Sequence, residues 1–127
     1  MEAVVHLDTH VLVWLYHKDA PRLAPALRHL AGKRLVVSPM VLLELQYLYE
    51  VGRATAPADA VFAGLAAEAG LSLSQASFAD VARRALALDW TRDPFDRLIV
   101  ATALAEGAPL VTRDETIRAR VPSAVWG

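Results

Sequence analysis

Residues Arg92 to Asp114 read RDPFDRLIVATALAEGAPLVTRD, and this stretch decides the fold. Asp93 precedes Pro94, and proline is favoured at the first position of a helix. Asp93 is therefore an N-cap. Asp96 falls at the third helical position, which resembles a capping box. The apolar run Leu98, Ile99, Val100, Ala101, Ala103, Leu104 carries the helix to Gly107, a stop. Pro109-Leu110-Val111 predicts a short buried strand, and Thr112-Arg113-Asp114 follows at its carboxyl end. Asp96 is the unusual residue. Ile99, Val100 and Ala103 stand three, four and seven places after it, so it opens the core-facing stripe. A carboxylate there must be capped, paired or metal-bound, because an unpaired buried charge is costly.

Working outward, Ala3 to Leu7 is an apolar, β-branched run and predicts strand one, ended by Asp8-Thr9. His10 to Tyr16 is apolar nearly all round and predicts a buried or interface helix. A second helix is expected from Pro21 to Gly32, with Leu23, Ala26, Leu27 and Leu30 on one face. Leu35 to Val37 is strand two. Ser38-Pro39 starts a helix that runs to Gly52, with Val41, Leu45 and Leu48 inward. Glu44 lies on that same apolar stripe. Ala58 to Ala69 is a helix stopped by Gly70, Leu71 to Leu73 a brief strand, and Phe78 to Leu88 a helix with Val81, Ala82, Ala85 and Leu86 inward. After the opening stretch, Glu115 to Arg120 makes a short helix and Pro122 to Trp126 an edge strand or tail. Strands alternating with helices predict a three-layer α/β/α sandwich around a mostly parallel sheet.

The chain has 127 residues, which suggests one domain, 1–127, large enough to bury roughly two-thirds of its unfolded surface. An apolar fraction of 55% is high and points to a partner or self-association surface. With no cysteine there is no disulfide and no thiolate chemistry, so any metal must take oxygen or nitrogen ligands. No signal-peptide pattern or 20-residue apolar span is present, so a cytoplasmic protein with no membrane partner is expected. The net charge of −1 gives no bulk signal for nucleic acid. Setting aside Asp8, Glu44, Asp96 and Asp114 leaves 13 basic against 10 acidic residues. Seven of the basic ones stand from Arg83 onward, which suits either an RNA-facing rim or a solvated helix face.

Those four acids stand at comparable places. Asp8 and Asp114 follow strands, and Glu44 and Asp96 lie a turn or two into helices that start near the same sheet edge. Open α/β sheets build sites outside the carboxyl ends of their strands. Four converging carboxylates repel, and a divalent cation resolves that. Oxygen-only ligands suit Mg²⁺ or Mn²⁺, and such a site can hydrolyse a phosphodiester. Taken singly, Asp8 and Asp114 read first as helix caps, Asp93 likewise, and Asp96 is explained as well by the capping box. Glu44 is harder to explain without a partner. Thr9, Ser38 and Thr112 are either strand-end turn formers or donors that hold the carboxylates.

The segments LDTHVLVWL (Leu7 to Leu15), SPMVLLELQYL (Ser38 to Leu48), RDPFDRLIVATAL (Arg92 to Leu104) and LVTRD (Leu110 to Asp114) together resemble a PIN domain, specifically the toxin ribonuclease of VapBC toxin–antitoxin pairs. RDPFDR is the most specific of them, and the four span nearly the whole chain in family order. The resemblance implies a strand order of 3-2-1-4-5 and Mg²⁺- or Mn²⁺-dependent RNA hydrolysis. It implies Asp8, Glu44 and Asp96 as the acidic core, with Asp114 at the position of a fourth, more variable acid and Asp93 as the extra Asp of this subgroup. It also implies a homodimer held by a small VapB-like antitoxin. Val11, Trp14, Leu15, Leu42 and Tyr49 are the apolar residues that would serve such contacts, or are all core. Arg97 and Arg113, each beside one of the acids, either contact phosphate or balance local charge.

Other classes fit less well. A phosphoacceptor receiver domain needs paired acids after strand one and a lysine after the last strand, and Lys18 and Lys33 are misplaced for it. A dehalogenase-like phosphatase needs an Asp where His10 stands. His6, Asp8 and His10 are too close along one strand end to face one ion together. A non-catalytic RNA- or protein-binding module on the same fold is the remaining alternative.

Overall fold

The computed structural model describes residues 2–127. Five parallel strands form one sheet: β1 (Val4–Leu7), β2 (Arg34–Val37), β3 (Ser72–Leu73), β4 (Leu110–Val111) and β5 (Ala124–Val125). Their order is β3-β2-β1-β4-β5, the order the resemblance implied. His6 of β1 pairs with Val36 on one side and Leu110 on the other. The chain lays down β1, β2 and β3 in one direction and then returns to the other side of β1 for β4. The junction of β1 and β4 is thus the switch point, where an open parallel sheet leaves a crevice at its carboxyl edge.

Eight α-helices flank the sheet: α1 (Thr9–Tyr16), α2 (Ala20–Leu23), α3 (Leu27–Leu30), α4 (Pro39–Glu50), α5 (Ala58–Ala69), α6 (Phe78–Ala85), α7 (Pro94–Glu106) and α8 (Glu115–Arg120). Their starts follow local chemistry. Asp8 caps α1, and Ser38 accepts from the Met40 amide at the head of α4. Asp93 accepts from the Phe95 and Asp96 amides before α7, and Asp114 from the Ile117 amide before α8. Gly107 ends α7 at φ 64°, in the left-handed region that glycine enters freely. Leu7, Leu12, Val41, Leu45, Ile99, Val100, Leu110 and Val111 make the centre of the core. Parallel strands covered on both faces have no polar alternation, which is why β2 after Arg34 and β4 read as apolar runs and β1 is interrupted only by the buried His6.

Two expectations are corrected. The helix expected from Pro21 to Gly32 is three short pieces, α2, a 3-10 turn (Ala24–Ala26) and α3. Pro25 has no amide hydrogen to donate and breaks the ladder. Leu27, expected inward, is exposed there. The helix expected to reach Leu88 stops at Ala85, and Leu86 is 76% exposed instead of buried. Past Ala85 the chain tightens into i→i+3 turns, with the Leu88 amide donating to the Ala85 carbonyl (3.1 Å), and the Arg97 guanidinium donates to the carbonyls of Ala85 (3.1 Å) and Leu86 (3.2 Å) at this end. Among the described residues no helix is long and apolar enough to cross a membrane.

Candidate active site

At the carboxyl edge of the sheet an open cavity of about 890 Å³ is lined by Asp8, Glu44, Asp93, Asp96 and Asp114. Five acids from distant parts of the chain arrive there because each sits at the start of, or early in, an element that begins at that edge. Asp8 is 8% exposed and fully engaged. One carboxylate oxygen accepts from the Thr9 amide (2.8 Å), and the other from the Thr112 hydroxyl (2.6 Å). The Thr112 oxygen also accepts the Asp114 amide (3.1 Å), so a single hydroxyl ties the end of β1 to the loop after β4. The Thr9 hydroxyl, completely buried, donates to Glu44 and holds α4's carboxylate against α1. The roles of Thr9 and Thr112 as donors to carboxylates, one of two readings above, are those the hydrogen bonds support. Ser38, the third candidate donor, instead caps α4 and accepts from the Thr102 hydroxyl (3.0 Å).

Asp96 is different from the rest. In a capping box its carboxylate would reach back to the Asp93 amide. That amide instead donates to the Thr91 hydroxyl (3.2 Å). The box is half-formed: Asp93 caps, and Asp96 makes no side-chain hydrogen bond among the described residues. It is left facing the cavity. Burial, and then the charges of Asp93, Asp8, Glu44 and Asp114, push its pKa up to about 7. Burial also raises Glu44, against the bond from Thr9 and with the repulsion of Asp8 and Asp93. Burial raises Asp8 as well, although Thr112 and Thr9 work the other way. Like charges this close cannot all ionise together without a proton or a cation to offset them.

Among the described residues no three His, Asp or Glu side chains are drawn together into an ion cage. Three of the five cavity acids, Asp8, Asp93 and Asp114, also serve as helix caps. The donor chemistry still fits Mg²⁺ or Mn²⁺, which take only oxygen ligands and keep several waters. Carboxylate oxygens that already accept one hydrogen bond retain a second lone pair.

Of the two arginines singled out, Arg113 lines the cavity, with its guanidinium 5.7 Å above the Trp14 ring. Arg97 is bound to the end of α6, where it balances no cavity charge. The His6, Asp8 and His10 grouping does not form: Asp8 and His10 line the cavity, whereas His6 is buried within β1, with its Nε2 3.0 Å from Glu106. Of the residues expected to be partner-facing or core, Val11 is core, Trp14, Leu15 and Leu42 are half-buried, and Tyr49 is exposed. The sequence reading missed Tyr47, Arg53 and Phe95, which also line the cavity. The signal for two of them was present: Tyr47 stands one turn after Glu44 on α4, and Phe95 is adjacent to Asp96.

Residues 5–121 match the model of the PIN domain family. The chain belongs to the PIN domain family. Solved structures share the fold over full length at low identity. The VapBC2 complex of Rickettsia felis bound to a promoter DNA fragment contains a chain 22% identical to this one, with a TM-score of 0.68, covering 98% of this chain and 97% of that one. VapBC-1 from nontypeable Haemophilus influenzae gives 16% identity, a TM-score of 0.66 and coverage of 98% and 96%. DNA-bound VapBC from Salmonella typhimurium gives 19%, 0.64, and 100% and 98%. No curated protein sequence matches the chain. The PIN-like α/β fold with an all-parallel five-stranded sheet is thereby shared with toxin–antitoxin complexes.

Proposed function

We propose that this PIN domain is a Mg²⁺- or Mn²⁺-dependent ribonuclease and the toxin half of a toxin–antitoxin pair. The observation that carries the reading is Asp96: a half-buried carboxylate whose side chain has no hydrogen-bond partner among the described residues, its pKa pushed up to about 7 by burial and then by four neighbouring acids in one open cavity. Such repulsion favours a cation site over a non-catalytic binding module. Asp8, Asp96 and Asp114 would hold the ion, and Glu44 either joins them or orients the attacking water. When bound, the ion supplies the positive charge that lets the acids ionise together and eases charge build-up on the phosphate. The chain's own residues do the rest. Thr112 and the Thr9 amide fix both oxygens of Asp8, the Thr9 hydroxyl fixes Glu44, and Asp93 anchors the first turn of α7 so that Asp96 faces the cavity.

RNA cleavage by the purified protein with Mg²⁺ or Mn²⁺, beside an EDTA control and Asp96→Ala, tests this directly. Metal-dependent cleavage that disappears with Asp96 is expected. Cleavage that survives EDTA, or that Asp96→Ala retains at the parent rate, would sink the assignment.

A homodimer held by a VapB-like antitoxin belongs to the same proposal. The fold neighbours were crystallised as VapBC complexes. Leu43, Tyr49 and Val51 on and just beyond α4 are large apolar residues left exposed, as are Phe78 and Leu86 around α6. A monomeric mass in solution at micromolar protein would count against the dimer.

A further inference from the structure

The cavity contains aromatic and cationic groups that hydrolysis by carboxylates does not use. Tyr47 lies one helical turn after Glu44 on α4, so it shares that face of the helix. Its ring pairs with that of Phe95, the residue before Asp96, with centroids 6.0 Å apart and planes inclined at 35°. Tyr47 remains 49% exposed. Trp14 is in a different state: Arg113 covers its ring, and Trp126 packs edge-on against it at 5.7 Å. Tyr47 is therefore the open aromatic surface of the cavity, backed by Phe95.

The cations indicate what lands on it. Arg53 and Arg113 both line a cavity rich in carboxylates, yet neither forms an ion pair among the described residues. Arginines that stay unpaired beside acids remain available to phosphate. An aromatic face, unpaired arginines and a hydrolytic acid centre in one open groove match a flexible single strand, whose bases have exposed faces to stack. A duplex keeps those faces covered.

We propose that Tyr47, braced by Phe95, is a stacking shelf for one unpaired nucleobase of the substrate and thereby positions the neighbouring phosphodiester over the acids. This rests on the ribonuclease reading. Tyr47 is a positioning residue here, and its phenolic hydroxyl is dispensable.

The test uses a 5′-labelled single-stranded oligoribonucleotide that the wild-type protein cuts at one bond in Mg²⁺. A matched set of oligonucleotides has a single base deleted at each position around that bond. Single-turnover cleavage is titrated for wild type, Tyr47→Ala and Tyr47→Phe, with melting curves to check folding. For Tyr47→Ala the half-saturating concentration should rise roughly 5- to 150-fold, the loss of one base stack, with a smaller change in maximal rate. Tyr47→Phe should restore it. One abasic position should reproduce the loss in wild type and cost nothing further in Tyr47→Ala. An unchanged half-saturation, or an abasic penalty equal in both proteins, overturns the shelf while leaving the nuclease intact. Failure of wild type to cut any RNA with metal overturns the nuclease reading and the shelf together.

Discussion

Helix α7 carries a carboxylate near each end, and the two behave oppositely. Asp96, in its first turn, is pushed up to about 7, whereas Glu106, its last residue, is held below its ordinary value. The helix dipole predicts the reverse, since it favours negative charge at the N-terminus and opposes it at the C-terminus. That effect is worth about 0.3–1 kcal/mol, less than one pKa unit, so local groups decide. Burial opposes ionisation at both. Glu106 overcomes it with hydrogen bonds from the Ser74 hydroxyl and His6 and the nearby charge of Arg34. Asp96 has no such donor among the described residues, and four acidic neighbours. One end of the helix is a satisfied polar anchor, while the other is an electrostatic debt that an ion would cancel.

The largest expected effect separates the two ends. Asp96→Asn should reduce RNA cleavage to background, yet in EDTA at pH 8 it should melt higher than the parent, because a repelling charge is gone. A lower melting temperature would mean that Asp96 is a structural cap after all. Next comes Thr112→Val, which removes the hydroxyl that links Asp8 and the Asp114 amide. Metal affinity or activity should drop about 10- to 100-fold with the fold preserved, read by metal titration of cleavage. At the other end, Glu106→Ala takes from the His6 ring its only partner among the described residues, where its Nδ1 already has none. Denaturant unfolding should show a loss of about 1–3 kcal/mol, with little change in catalytic rate.

The smallest effect is one of pH. Asp96 has a folded pKa of about 7 against an ordinary 3.8, so between those values the folded protein holds more protons than the unfolded chain. Stability without metal must then fall as pH rises through about 7. The melting temperature in EDTA should be lower at pH 8 than at pH 6. Added Mg²⁺ should raise it more at pH 8, and Asp96→Asn should flatten the dependence. Glu106, shifted downward, loses its contribution only on acidification below its ordinary 4.5, outside this window.

Much of the architecture was legible residue by residue. Pro94 after Asp93 and Pro39 after Ser38 marked helix starts, and short apolar runs at Val4, Leu35 and Leu110 marked buried strands. The misses were places where a local rule met another residue. Pro25 broke a helix that its apolar spacing favoured. Arg97, which stood beside an acid and was expected either to contact phosphate or to balance local charge, turned its guanidinium to the end of α6. The site was legible as a set of acids on one edge, but not in its wiring: Thr91 is five residues before Asp96, and no pattern announces that its hydroxyl takes the amide the capping box needed.

The order of residues by itself determined the helix and strand starts and which acids would stand at element boundaries, because capping, proline geometry and apolar periodicity act over a few residues. Only the tertiary structure decided which carboxylates are satisfied. Glu106 meets Ser74 and His6, 32 and 100 residues away, and Asp8 meets Thr112 across 104 residues. Asp96 finds no side-chain hydrogen-bond donor among the described residues and lines a cavity with four other acids. Hydrogen bonding and charge repulsion depend on distance in space, and folding alone fixes that distance.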